Sequence, residues 1–199
     1  MGRRVRSTFV QAARLIVMVK GIQIVTDVAS AIVRHIGHIS AWLGLALVCV
    51  VSFNVISRYL FGFGNVGMQE AEWHLMAVGA LMGMSYGLNQ GGEVRVDIFY
   101  ARFSPRLQAW VDLFATLLLV AIALIIAWLS IKYVQNSYTI NEGSPDPGGL
   151  AYRYVLKGFI PLSFVLLAIQ GIAMTGHALL TILAPARTDK HDGADHAIH

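Results

Sequence analysis

Histidine is the residue type in this chain whose placement would allow a cofactor. His38 stands near the start of one long apolar run and His177 near the end of another. If the two runs cross a membrane in opposite directions, both rings reach a similar depth, where two imidazoles can ligate a b-type haem from its two faces. The competing reading, which we favour, is two interfacial histidines bonded to water, headgroups or backbone. His191, His196 and His199 form a loose cluster near the C-terminus, and their spacing alone makes a weak metal site. Glu70 and Glu72 open one apolar run and Lys157 opens another. In a four-span topology they reach the same side, so a partly solvated ion pair between these helices is expected, worth little in stability. No Walker lysine motif, no GxSxG and no CxxC pair is present. The chain therefore does not itself hydrolyse ATP, and no catalytic residue, metal or cofactor is assigned to it.

The elements that position these groups are membrane helices. Of 199 residues, 56% are hydrophobic and 13% charged, and the mean hydropathy is +0.63. In an ordinary soluble domain roughly a quarter of residues carry charge. A pI near 9.4 would suit nucleic acid, but the basic residues sit beside the apolar runs. That placement serves topology and lipid headgroups, so membrane lipid is an expected partner and nucleic acid is not. The single cysteine, Cys49, lies in an apolar run, cannot form an internal disulfide and reads as a packing residue.

The pattern predicts an all-α integral membrane protein: four transmembrane helices preceded by an N-terminal amphipathic interfacial helix. Residues 1–35 form that first element. Arg3, Arg4 and Arg6 resemble the start of a signal peptide, but no small-residue cleavage site follows at a suitable distance, so no removed signal is expected. Lys20, Gln23, Asp27, Ser30 and Arg34 fall in one narrow stripe opposite an apolar face, the pattern of a helix lying in the interface. A fifth span is the rival reading of this segment. The transmembrane domain covers 36–184, with spans at about 38–59, 72–88, 110–133 and 155–183, each near the ~20 residues that cross ~30 Å of hydrocarbon. Pro161 falls in the first turns of the last span, where a kink costs least. Residues 185–199 read as a polar, disordered tail.

The stretch from Glu70 to Pro105 organises the rest. Gly79, Gly83 and Gly87 are spaced by four, so they share a face and make one smooth groove. In lipid, small residues that let backbones touch take the place of the hydrophobic force. We therefore expect this helix to be the one the others pack against.

Orientation follows from Lys and Arg. Residues 1–35, the second loop with Arg95, Arg102 and Arg106, and the tail with Arg187 and Lys190 hold most of the 15 basic residues. The other side has Arg58, Lys132, Arg153 and Lys157. This bias puts both termini in the cytoplasm. The connection from Tyr133 to Tyr154 is then extracytoplasmic, and its Ser144-Pro145-Asp146-Pro147-Gly148-Gly149 is a rigid exposed turn. Charge is confined to span ends, which argues against an ion-coupled carrier or proton pump made by this chain alone.

The order of features resembles the small, DctQ-type membrane subunit of the TRAP (tripartite ATP-independent periplasmic) transporters. The matching residues are Asn54-Val55-Ile56-Ser57-Arg58-Tyr59, Gln69-Glu70-Ala71-Glu72-Trp73, and Val94-Arg95-Val96-Asp97 with Ser104-Pro105 after it. Further on, Glu142-Gly143-Ser144-Pro145-Asp146-Pro147-Gly148-Gly149-Leu150, Lys157, Ile160-Pro161-Leu162 and Gln170-Gly171 fit the branch proposed to handle organic acids. The resemblance covers roughly Ile36 to Leu183. It departs at Glu93, where the family often has histidine, so no role for that histidine carries over.

The resemblance implies a small subunit of the inner membrane that scaffolds a much larger membrane subunit. That larger subunit would carry the sodium and substrate sites, while a periplasmic binding protein delivers the substrate, commonly a carboxylate. On this reading Arg58, Glu70, Glu72, Lys157 and the Glu142–Leu150 loop are candidates to meet the binding protein or the large subunit. Arg95 and Asp97 would order the cytoplasmic turn, and the glycines would set helix packing. The bland alternative for all these charges is topology and solubilisation of the ends. The rival function is a redox membrane anchor holding haem or quinone between His38 and His177.

Overall fold

The computed structural model describes residues 2–62, 64–92 and 100–183, with side chains described from residue 16 onward. These residues form four helices: α1 (Gly2–Phe61), α2 (Val66–Asn89), α3 (Pro105–Thr139) and α4 (Arg153–Leu183). Helices satisfy their own backbone polar groups, which a hydrocarbon surrounding demands. Three of them are long and apolar enough to cross a membrane: α1 over Ile16–Phe61, α3 and α4. α2 is not among the three. Its 24 residues would cover about 36 Å at 1.5 Å per residue, but Glu70, Glu72 and His74 occupy its first turns.

The helix ends are set locally. Asn65 caps α2 by accepting from the Gly67 N–H at 2.8 Å. Ser104 caps α3, accepting from the Leu107 N–H at 3.4 Å, and Pro105 takes the first helical position, where no donor is needed. At the far end of α3, Asn141 adopts φ 47° and turns the chain back.

α1 runs unbroken through the boundary expected at 35–36. Thr26, Ala29, Val33, Gly37 and Ser40 are all buried and lie on one stripe spaced by threes and fours, and Asn54 is buried further along the helix. That continuous packed stripe carries the helix past the expected break. Lys20, Gln23, Asp27 and Arg34 are exposed beside it, and Ser30 is half-buried. At 60 residues the helix is about 90 Å long, roughly three times a ~30 Å hydrocarbon core. It cannot lie wholly across one bilayer.

The expectation that α2 is the central helix is corrected. α4 packs on α1, α2 and α3, whereas α2 packs on α1 and α4. The reason is the run of small residues on α4: Ser163, Ala168, Gly171, Ala173, Gly176 and Ala178 are all buried. A Cβ on Gly171 would come within 2.7 Å of Val120 Cγ2, and one on Gly176 within 3.5 Å of Ile22 Cγ2. On α1, a Cβ on Gly37 would come within 2.7 Å of Tyr86 Cβ. By contrast, one on Gly79 meets Leu43 Cβ at an ordinary 3.9 Å, and Gly83 and Gly87 meet nothing within 4 Å. The close packing inside this chain is thus made by other glycines than the three in register.

Candidate functional site

The polar residues gather at the two ends of the bundle. At one end the α3–α4 loop folds over Glu70, which is 1% exposed. Its carboxylate accepts from the Leu150 N–H at 2.5 Å, from Arg153 Nη2 at 3.0 Å and from the Ser144 hydroxyl. The loop also ties to itself, with Ser144 N–H donating to Leu150 O and Arg153 N–H to Glu142 O. Gly149 is needed for the approach, because a Cβ there would stand 2.8 Å from Glu70 Oε2. Tyr152 at φ 63° and Gly148 at φ 82° supply the reversals.

The expected ion pair between Glu70 or Glu72 and Lys157 does not form. Lys157 bonds Glu142 instead and lies 4.1 Å from the centre of the Tyr133 ring. Glu70 takes Arg153, one turn before Lys157 and over the Trp73 ring at 5.8 Å. The left-handed Asn141 swings Glu142 back over α3, where Ser137 Oγ donates to it at 2.6 Å. Glu142 therefore reaches Lys157 first. Glu72 pairs with Asn54 Nδ2 at 2.6 Å, joining α2 to α1. Arg58 is exposed on the last turn of α1. Arg95 and Asp97 lie outside the described residues.

The hydrogen bonds from Lys157, first, and Ser137 hold the Glu142 carboxyl below the usual carboxylate range. A depressed folded value gives stability that is present above the unfolded value, about 4.3, and lost as pH falls through the folded one. The thermal unfolding midpoint should hold steady from neutral to mildly acidic pH and fall below that range. Glu142→Gln should lower the neutral-pH midpoint and flatten the acid limb. Identical acid limbs for the two proteins would contradict this.

At the opposite end, Asn89 Nδ2 donates to Gln170 Oε1 at 3.0 Å and to Ser30 O at 3.4 Å, so one side chain joins three helices. Thr175 donates to Thr116 at 3.0 Å, and Tyr100 Oη donates to Asp112 at 2.7 Å. Beside them lies a cavity of about 500 Å³ between α3 and α4.

His38 and His177 are not brought together. Gly176 packs on Thr26, while Gly37 packs on Tyr86, whose ring His38 also faces at 5.6 Å. His177 is therefore level with Thr26, about 18 Å along α1 from His38 at 1.5 Å per residue. The similar depth that a shared haem requires is absent. Between the two ends, residues 39–57, 75–88, 113–131 and 158–176 hold no Asp, Glu, Lys, Arg or His.

Sequence reasoning missed Arg153, Glu142, Ser144 and Asn54 as partners. A signal existed for Arg153, a second cation opening the last span opposite Glu70. Chemically, a carboxylate filled by donors from one loop is an anchor and not an acid or base. The end it fastens offers a shaped, exposed edge, Pro145-Asp146-Pro147.

A model of the family described as "Tripartite ATP-independent periplasmic transporters, DctQ component" matches residues 47–181. No curated protein and no solved structure matches the chain.

Proposed function

Because the chain belongs to the family of DctQ components of tripartite ATP-independent periplasmic transporters, we propose that it is the static membrane scaffold on which a large subunit moves. As a DctQ component it is a small membrane subunit of a transporter and not an enzyme. The family works with a large membrane subunit and a periplasmic binding protein. In our reading the assembly takes up an organic acid with sodium across the inner membrane. This chain crosses four times, with both termini in the cytoplasm. The observation that supports the scaffold role most is the pairing of two fastened ends with a middle free of ionisable groups. Such a chain has rigidity to offer and no ion path.

The outward Pro145-Asp146-Pro147 edge and exposed Arg58 are then the parts available to the binding protein or the large subunit. Glu70, Glu72 and Lys157 support that surface from within. The open face of α2 at Gly83 and Gly87 is the place for a helix of the large subunit.

A mild-detergent pull-down of the full chain from its native membrane, with mass spectrometry and an absorption spectrum, tests this. A large multi-span partner and no Soret band are expected. A Soret band without such a partner would turn the reading to a redox anchor. In the same experiment Gly83→Leu should abolish co-purification while the isolated chain keeps its helix content and unfolding midpoint. Normal assembly and transport by that variant would remove the helix-docking role from this face.

A further inference from the structure

Three tyrosine rings stand in a row across the start of α4, at the end of the bundle that Glu70 fastens. Tyr138, in the last turn of α3, meets Tyr154 edge-on with ring centres 5.1 Å apart, and Tyr154 meets Tyr152 at 5.9 Å. Tyr138 is 65% exposed and Tyr152 57%, with Tyr154 half-buried between them. Tyr152 keeps its place at φ 63°, a conformation uncommon outside glycine. On either side the Arg153 N–H donates to Glu142 O at 2.9 Å and the Val155 N–H to Tyr152 O at 3.0 Å. From Asp112 to Lys132 α3 advances about 30 Å at 1.5 Å per residue, the whole thickness of the hydrocarbon. The backbone at Tyr138 is about 9 Å further on, past a headgroup layer of about 5–8 Å. The neighbouring charges are already paired, Glu142 with Lys157 and Glu70 with Arg153, so covering the row strands none of them.

Area decides the kind of partner. Full burial of a tyrosine removes about 150–250 Å², so the open parts of these rings offer roughly 200–400 Å², against about 800 Å² from each side of a stable interface. That is too little for a permanent subunit, and enough for the aromatic centre of a contact that forms and breaks. We propose that the row docks the soluble binding protein, its rings entering an apolar hollow rimmed by acceptors for the tyrosine hydroxyls. The inference rests on the proposal that the chain is a transporter subunit with this end outside the cytoplasm, and it adds the residues and chemistry of one contact.

The test is surface plasmon resonance of the transporter's purified binding protein on the assembled membrane complex in nanodiscs. Tyr152→Asn removes a ring and suits the left-handed backbone, which asparagine tolerates, so the fold is kept. It should weaken binding about tenfold, as should Tyr138→Ala, the scale of an interface hot spot, while the large subunit still co-purifies. Tyr152→Phe keeps the ring and should keep most of the affinity. Unaltered binding by Tyr152→Asn and Tyr138→Ala overturns the proposal and leaves the row as an interfacial aromatic belt. Loss of the large subunit from either variant also overturns it, by placing the row in a permanent interface. So does a loss in Tyr152→Phe equal to that in Tyr152→Asn, since the ring would not be the anchor. An unaltered chain that holds no large subunit would instead overturn the scaffold reading, and this docking site with it.

Discussion

Replacing Glu70 with alanine detaches the α3–α4 loop from α2, and hydrogen exchange over residues 141–152 rises by about tenfold or more, since losing even one charge-assisted bond shifts an opening equilibrium that far. The substitution strands the Leu150 N–H, the Ser144 hydroxyl and the Arg153 guanidinium together. Arg153 suffers most, because its Nε is already buried without a partner among the described residues. Removing one member of a buried pair leaves the other uncompensated, which is why this change outweighs deletion of both. Glu70→Ala combined with Arg153→Met should accordingly unfold later than Glu70→Ala alone. Glu72→Ala should leave the loop's exchange unchanged, since Glu72 bonds Asn54 on α1. Equal effects from the two glutamates would show that general charge at the helix start, and not the Glu70 anchor, holds the loop.

Gly37→Leu is the second large effect, and it acts on α1. The tightest contacts at Gly37 include Tyr86 Cβ at 2.7 Å, an atom fixed to the α2 backbone. A side chain there cannot be accommodated by a rotamer change alone, so α1 and α2 must separate. Inserting volume into a packed contact costs about 1–3 kcal/mol, and separation of α1 also strains the Asn54–Glu72 and Asn89–Ser30 bonds further along. The unfolding midpoint in detergent should fall for Gly37→Leu and recover in part with Tyr86→Ala, because the two sites share one contact. A double variant no more stable than Gly37→Leu would mean that the contact is not the cause.

Much of this arrangement was legible in the residues. Long apolar runs with charge at their ends marked the helices, because hydrocarbon excludes charge and water-free backbone must bond internally. The motif order around Arg58, Glu70 and the 142–150 loop marked the family. Three things were not legible. The break between an interfacial helix and a first span was inferred from Lys20, Gln23 and Asp27, but packing of Thr26, Ala29 and Val33 on the bundle carries one helix straight through. The register of Gly79, Gly83 and Gly87 invited a central place for α2, yet spacing within one helix does not say which neighbour stands opposite. The less regular Gly37, Gly171 and Gly176 are the ones pressed tightly against another helix. Last, Lys157 and Arg153 both open α4 on the same side, and a left-handed residue at Asn141 decides which carboxylate each receives. A backbone reversal of that kind has no periodic signature.

The central claim is that this chain stays still while the transporter works, and a cross-link between α1 and α4 tests it most directly. A Cβ at Gly176 would lie 3.5 Å from Thr26 Cβ, within the range that a disulfide spans, about 3.5–4.5 Å. Thr26 gives up a hydroxyl without a hydrogen-bond partner among the described residues. With Cys49 replaced, Thr26→Cys and Gly176→Cys are the sole thiols of the chain. Transport by the complete assembly in vesicles should run at the same rate with the bond oxidised or reduced. Transport that stops on oxidation and returns with reductant would show that α1 and α4 move against each other, and the chain would be a moving part and not a scaffold.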